Sequence, residues 1–166
     1  MNMSCKIEPF TETETCVSFA SSCVEMVAKR LKIPYQESYR RLKAVGLIQA
    51  YLAKLDPLHT QSREYATDEV VSALLRLEKE KGGGGGGEVI NRDAATVREI
   101  ILWNRIGRMV PLIAEKLHVS IERAFDIFYT SETCARLHDE STGLYLYGEL
   151  YIIDDLMMEL RARQGE

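Results

Sequence analysis

Few residues in the chain are equipped for chemistry. His138 and Asp139 adjoin, and Asp154 and Asp155 follow fifteen residues on. An imidazole with three carboxylates could act as a general base or hold a divalent metal. No further ligand stands at a diagnostic spacing, and the plainer reading has the histidine fix a loop while the carboxylates cap a helix. His59 is the second candidate, in a Leu-His unit like that of His138. His118 follows Leu117 at the end of an apolar-periodic stretch, where a helix C-terminus favours a cation. The four cysteines, Cys5, Cys16, Cys23 and Cys134, form no C-x-x-C pair and have no histidine at zinc-finger spacing, so free thiols are expected. There is no G-x-x-x-x-G-K loop, dinucleotide fingerprint, G-x-S-x-G elbow or H-E-x-x-H pair. The expectation is a chain that is not an enzyme and carries neither cofactor nor metal.

The elements that position these residues recur. Shifting the chain by 86 residues aligns Thr15–Leu74 with the second half without a gap, pairing Val24 with Val110, Ala28 with Ala114, Leu31 with Leu117, Tyr65 with Tyr151 and Leu74 with Leu160. The stripe Val17, Ala20, Val24, Val27, Ala28, Leu31 returns as Trp103, Ile106, Val110, Ile113, Ala114, Leu117, the spacing of an amphipathic helix. A second helix carries Tyr35, Ser38, Tyr39 and Leu42 in one copy and Ile121, Ala124, Phe125 and Phe128 in the other. A short third segment follows, near Leu47–Leu55 and Thr133–His138. A last helix carries Val70, Val71 and Leu74 or Leu156, Met157 and Leu160, with Asp68-Glu69 and Asp154-Asp155 expected near its N-terminus. His59 and His138 are not equivalent in this register: they fall on Tyr145 and Leu52.

Between the third segment and the last helix the copies diverge. Leu58–Tyr65 is polar, whereas Leu144–Tyr151 is apolar and aromatic, which leaves a short extended segment or hairpin around Gly148 open. Tyr65 and Tyr151, matched in the repeat, are expected in the core. Pro111 interrupts the first helix of the second copy and predicts a bend there. The fold expected is all-α: two similar small helical domains, residues 1–81 and 88–166, packed as a pseudo-symmetric dimer.

Gly82–Gly87 joins them. Six glycines have no side chains to pack and behave as flexible coil with a span of about 13 Å, enough to tether touching domains. The flanks are poor in glycine, which suggests an engineered junction. Residues 1–81 hold twelve Lys or Arg against eleven Asp or Glu, and residues 88–166 nine against fourteen, so the nets are +1 and −5 within the −4 of the chain. Two diverged subunits fit this contrast better than a recent duplication.

No apolar run reaches the length of a membrane span, and the N-terminus lacks a signal pattern, so a cytoplasmic protein is expected. Arg40, Arg41 and Lys43 would suit a helix-turn-helix DNA contact, but their counterparts Asp126, Ile127 and Tyr129 do not, and the sequence pI near 5.5 gives no basic footprint. DNA-binding regulation is the alternative function. Tyrosines in the second connector suit a protein interface or packing on their own domain.

The stretches Leu58–Val71 and Leu137–Leu156, with Trp103–Arg108 and Ala114–Leu117, resemble one family of small bacterial proteins, domain of unknown function 3791 (DUF3791). The similarity takes in most of both halves. It implies that the two copies are diverged family members and that the chain has an antitoxin-like or immunity-like role, neutralising an ADP-ribosyltransferase-type toxin encoded nearby by occluding its active site. The partner-binding residues expected are those of the connectors, His59, Arg63 and Glu64 in the first and His138, Tyr145 and Tyr147 in the second.

Overall fold

The computed structural model describes residues 9–82 and 94–165. They form eight α-helices and, among the described residues, no strand: α1 Glu12–Leu31, α2 Tyr35–Ala44, α3 Leu47–Ala53, α4 Arg63–Glu80, α5 Val97–Leu117, α6 Ile121–Tyr129, α7 Glu132–His138 and α8 Glu149–Gln164. The all-α expectation holds, and α5 to α8 restate α1 to α4 close to the 86-residue register.

The boundaries follow from local chemistry. Thr11 and Thr96 each close a capping box, with Glu14 and Glu99 reaching back to the cap N–H. Both long helices end on a non-glycine residue in the left-handed region, Lys32 at φ 55° and His118 at φ 53°, which are equivalent positions. Ser62, Ser120 and Ser131 cap α4, α6 and α7. Helix α5 runs through Pro111, whose missing N–H leaves the Gly107 carbonyl without its helical donor.

Among the described residues, helices α1 and α5 make the most extensive helix–helix contact. Gly107 permits it. A Cβ there would lie 2.9 Å from Ser18 Cβ and 3.0 Å from the Glu14 carbonyl oxygen, closer than packed atoms tolerate. Around this pair, α2, α3 and α4 pack on α1, and α6 and α8 on α5. The buried apolar side chains, Val24, Leu42 and Leu74 with Ile106, Phe125 and Ile153 among them, form one continuous cluster that spans both halves.

Three expectations need correction. The second connector is neither extended nor a hairpin; it is two 3-10 turns, Glu140–Thr142 and Leu144–Leu146. Asp139 accepts from the Ser141 N–H, Thr142 Oγ1 donates to the Arg136 carbonyl, and Gly143 takes φ 69°, so local bonds win over strand pairing. The last helices also begin earlier than expected, which puts Asp68 and Asp155 inside them, paired with Arg30 and Arg136 rather than at their N-termini. Tyr65 and Tyr151 are not core residues: they are 51% and 52% exposed, because the earlier start turns them outward. Of the glycine tract, Gly82 follows α4 at φ 80°, and Gly83–Gly87 lie outside the described residues.

Candidate interaction surfaces

Two surfaces carry the polar and aromatic residues of interest. The first is the seam between the halves. His138, in the last turn of α7, points into it. Its Nε2 lies 2.7 Å from Glu25 Oε1 of α1, its Nδ1 lies 2.8 Å from the Cys134 carbonyl oxygen, and its ring stacks on Tyr35 of α2 at 3.7 Å and 11°. Both ring nitrogens face acceptors, so only the doubly protonated imidazolium satisfies both. Burial alone would lower its pKa, but the Cys134 sulfur, 3.6 Å from Nδ1, and the Glu25 carboxylate outweigh it and push the value up to about 11. Burial raises the neighbouring Cys134, against the pull of His138 in the other direction. Tyr129 completes the cluster: its hydroxyl bonds Ser21 Oγ at 2.6 Å and donates to Glu25 at 3.2 Å.

The sequence reading missed Glu25. A signal was present: it is the one charge between Glu14 and Lys29, in a stretch of α1 buried almost all round. Such a residue needs a partner, because an unpaired charge in that setting is costly.

Along the same seam, Asp126 of α6 accepts from Lys43 Nζ and the Tyr39 hydroxyl, each at 2.7 Å. Burial would raise its carboxyl, but Lys43 and Tyr39 together hold it below the ordinary range. Lys29 reaches Glu99 at 3.1 Å, and Ser18 Oγ donates to Asn104 Oδ1 at 2.8 Å. Arg63, at the start of α4, donates to Ser22 Oγ and lies over the rings of Phe19 and Trp103.

The second surface is exposed. Among the described residues, every exposed large apolar side chain except Tyr65 belongs to the second half. Tyr145 and Tyr147 are 38% and 50% exposed. Arg98 covers the Tyr145 ring at 4.8 Å, and Arg105 of α5 binds the carbonyls of both tyrosines, fastening the turn to the helix. Tyr147 stacks on Tyr151 at 4.3 Å with both rings in water, and Leu146, Leu150 and Met158 continue the apolar surface along α8. Arg105 and Arg108 flank its base with Glu149.

The six partner-binding candidates therefore separate. Tyr145 and Tyr147 lie together on the exposed face. Arg63 and His138 turn into the seam, and His59 is held by its own turn, Nδ1 lying 2.6 Å from the Asp56 carbonyl oxygen. Glu64, next to Arg63 on α4, is exposed. The carboxylates proposed beside His138 do not join it: Asp139 caps the following turn, Asp154 meets Lys116, and Asp155 meets Arg136. No group of three or more metal-capable side chains occurs among the described residues. Cys16, Cys23 and Cys134 are free and buried, and Cys5 lies outside the described residues. Of the basic residues of α2, Arg41 is engaged by Glu78 through two bonds and the exposed Lys43 by Asp126, while Arg40, the most exposed, lies 3.9 Å from Glu37.

Fold and surfaces define an all-α chain whose halves share a polar, aromatic seam and whose second half presents tyrosines to solvent. Residues 18–75 match the family described as "Protein of unknown function (DUF3791)", which places the resemblance on the first half. No curated protein and no solved structure matches the chain. Among the described residues, no helix is long and apolar enough to cross a membrane.

Proposed function

We propose that the chain is a non-enzymatic protein-binding module made of two diverged copies of one small helical unit, related by a pseudo-two-fold axis and tethered through Gly82–Gly87. Equivalent residues meeting across the seam support the axis: Ser18 bonds Asn104, and the Tyr39 ring lies 5.8 Å from that of Phe125, each pair being 86 apart. In an isologous contact, equivalents meet where the axis passes.

The observation that carries the binding reading is the tyrosine face of α5, the Leu144–Leu146 turn and α8. Solvent-exposed stacked tyrosines beside arginines have the composition of an interface hot spot. Tyr145, Tyr147 and Tyr151 are the contact residues of this reading, while Arg63 and His138 serve the pairing of the halves. The partner is an ADP-ribosyltransferase-type toxin, whose active site the module occludes; this step rests on the family resemblance. Co-expression with the toxin encoded nearby should restore growth and yield a complex that survives gel filtration, and Tyr147→Ser with Tyr151→Ser should abolish both. An unchanged complex from that variant would remove the face from the reading, and no complex with the parent chain would remove the partner.

A further inference from the structure

The polar pairs of the seam are not repeated on the other side of the pseudo-axis. Glu25 and His138 meet on one side. Their equivalents in the 86-residue register are Pro111 and Leu52, and the equivalent of Tyr35, which stacks on His138, is Ile121. Leu52 and Ile121 both pack against the apolar cluster. Lys43 and Asp126 have Tyr129 and Arg40 as equivalents, which cannot form the same ion pair.

We propose that this asymmetry makes the two halves exclusive partners: each is built to pair with the other and to reject a copy of itself. The proposal rests on the pseudo-two-fold reading above. A pair of first halves would set Glu25 against Leu52 twice, with Lys43 in the place of Tyr129 as the one group able to answer it. That same Lys43 would face Arg40 where Asp126 now sits. Ser21 would also occupy the place of Gly107, and its Cβ would fall 2.9 Å from Ser18 Cβ and 3.0 Å from the Glu14 carbonyl oxygen. The backbone atom cannot yield unless the helices separate.

A pair of second halves fails differently. His138 would face Pro111 and lose its carboxylate, Asp126 would lose Lys43 to Tyr129, and Glu99 would face Glu115 where Lys29 now stands. Buried charges left without partners and like charges set opposite one another reject a wrong partner more sharply than they reward the right one.

The test uses the whole folded chain with a protease site inserted in the glycine tract. Cleaved chains carrying two different mass tags are mixed, unfolded in urea, refolded together and read by native mass spectrometry. Every dimer should contain one first half and one second half, drawn freely from both tagged sets. Introducing Ser21→Gly with Glu25→Leu should make pairs of first halves appear. Pairs of like halves from the parent chain would overturn the proposal, and failure of the variant to yield them would overturn the assignment to Ser21 and Glu25. A cleaved chain that separates into single halves would instead refute the paired reading on which the proposal stands.

Discussion

Replacing Glu25 by Gln keeps the shape of the side chain and removes the charge that His138 faces. In the folded chain the imidazolium holds its proton up to about pH 11, against an ordinary value of 6.5. The folded state therefore binds this proton more tightly than the unfolded state. Its stabilisation is complete below pH 6.5, declines as pH rises, and is lost above pH 11. One proton gives a slope approaching about 1.4 kcal/mol per pH unit, so from pH 7 to 8.5 the parent chain should lose about 2 kcal/mol. Buried cysteines and tyrosines with raised values act in the same direction, but only above their ordinary 9.0 and 10.0. Glu25→Gln should flatten the slope. At neutral pH it should also cost about 3 kcal/mol, the lower end for a broken buried pair, because the side chains of His138 and Glu25 keep 16% and 11% exposure. Urea unfolding followed by the fluorescence of Trp103, the one tryptophan and a buried one, measures both effects. A parent chain with level stability between pH 6.5 and 8.5, or a variant with the parent slope, would refute the reasoning.

Other perturbations test separate parts of the account. Gly107→Ala should lower the melting temperature: the helix propensity gained, about 1 kcal/mol, opposes an overpacking cost of about 1–3 kcal/mol, and the close neighbours are Ser18 Cβ and backbone. A rise would mean that this approach does not set the α1–α5 spacing. Glu159 accepts from the N–H groups of Glu132 and Thr133 and from the Thr133 hydroxyl, so Glu159→Ala should cost about 1–2 kcal/mol at neutral pH. Burial alone would raise this carboxyl, but the Thr133 and Glu132 bonds hold it below 4.5; its stabilisation is present above that value and lost as pH falls through the depressed one, so denaturation curves of parent and variant should converge in acid. Tyr151→Ser should change stability by less than about 0.5 kcal/mol, yet weaken toxin binding by about tenfold or more in titration calorimetry.

The helices were legible because their signals are local and redundant. The apolar stripes of α1 and α5 fell on buried positions in both halves, with Leu31 and Leu117 half-buried at the ends, and Ser120, a residue type that favours caps, closes the start of α6. The starts of α4 and α8 were not legible. Matching Tyr65 to Tyr151 told that the positions correspond, but not which way they face: a repeat conserves a place on a helix, and exposure depends on where the turn before it stops. In the first copy the cap Ser62 carries a mark of that stop, which went unread. In the second, Gly148 caps α8 without a side-chain bond and gave no such mark.

His138 shows why a site of this kind resists reading from one half of a sequence. Within its own half it has a carbonyl, a thiol and an adjoining aspartate, and the nearby carboxylates invited a local acid–base or metal arrangement that the helix directions do not allow. Its partner lies 113 residues earlier, on α1 of the other half. Neither residue has a polar equivalent in the repeat, since Pro111 and Leu52 occupy the matching places. In the two-copy reading proposed above, divergence between the halves, which weakens the repeat as a signal, is what creates the pair. Positions that carry a charge in one half alone are the places to look for contacts across the seam, and Glu25, matched to Pro111, and Lys43, matched to Tyr129, both meet that description.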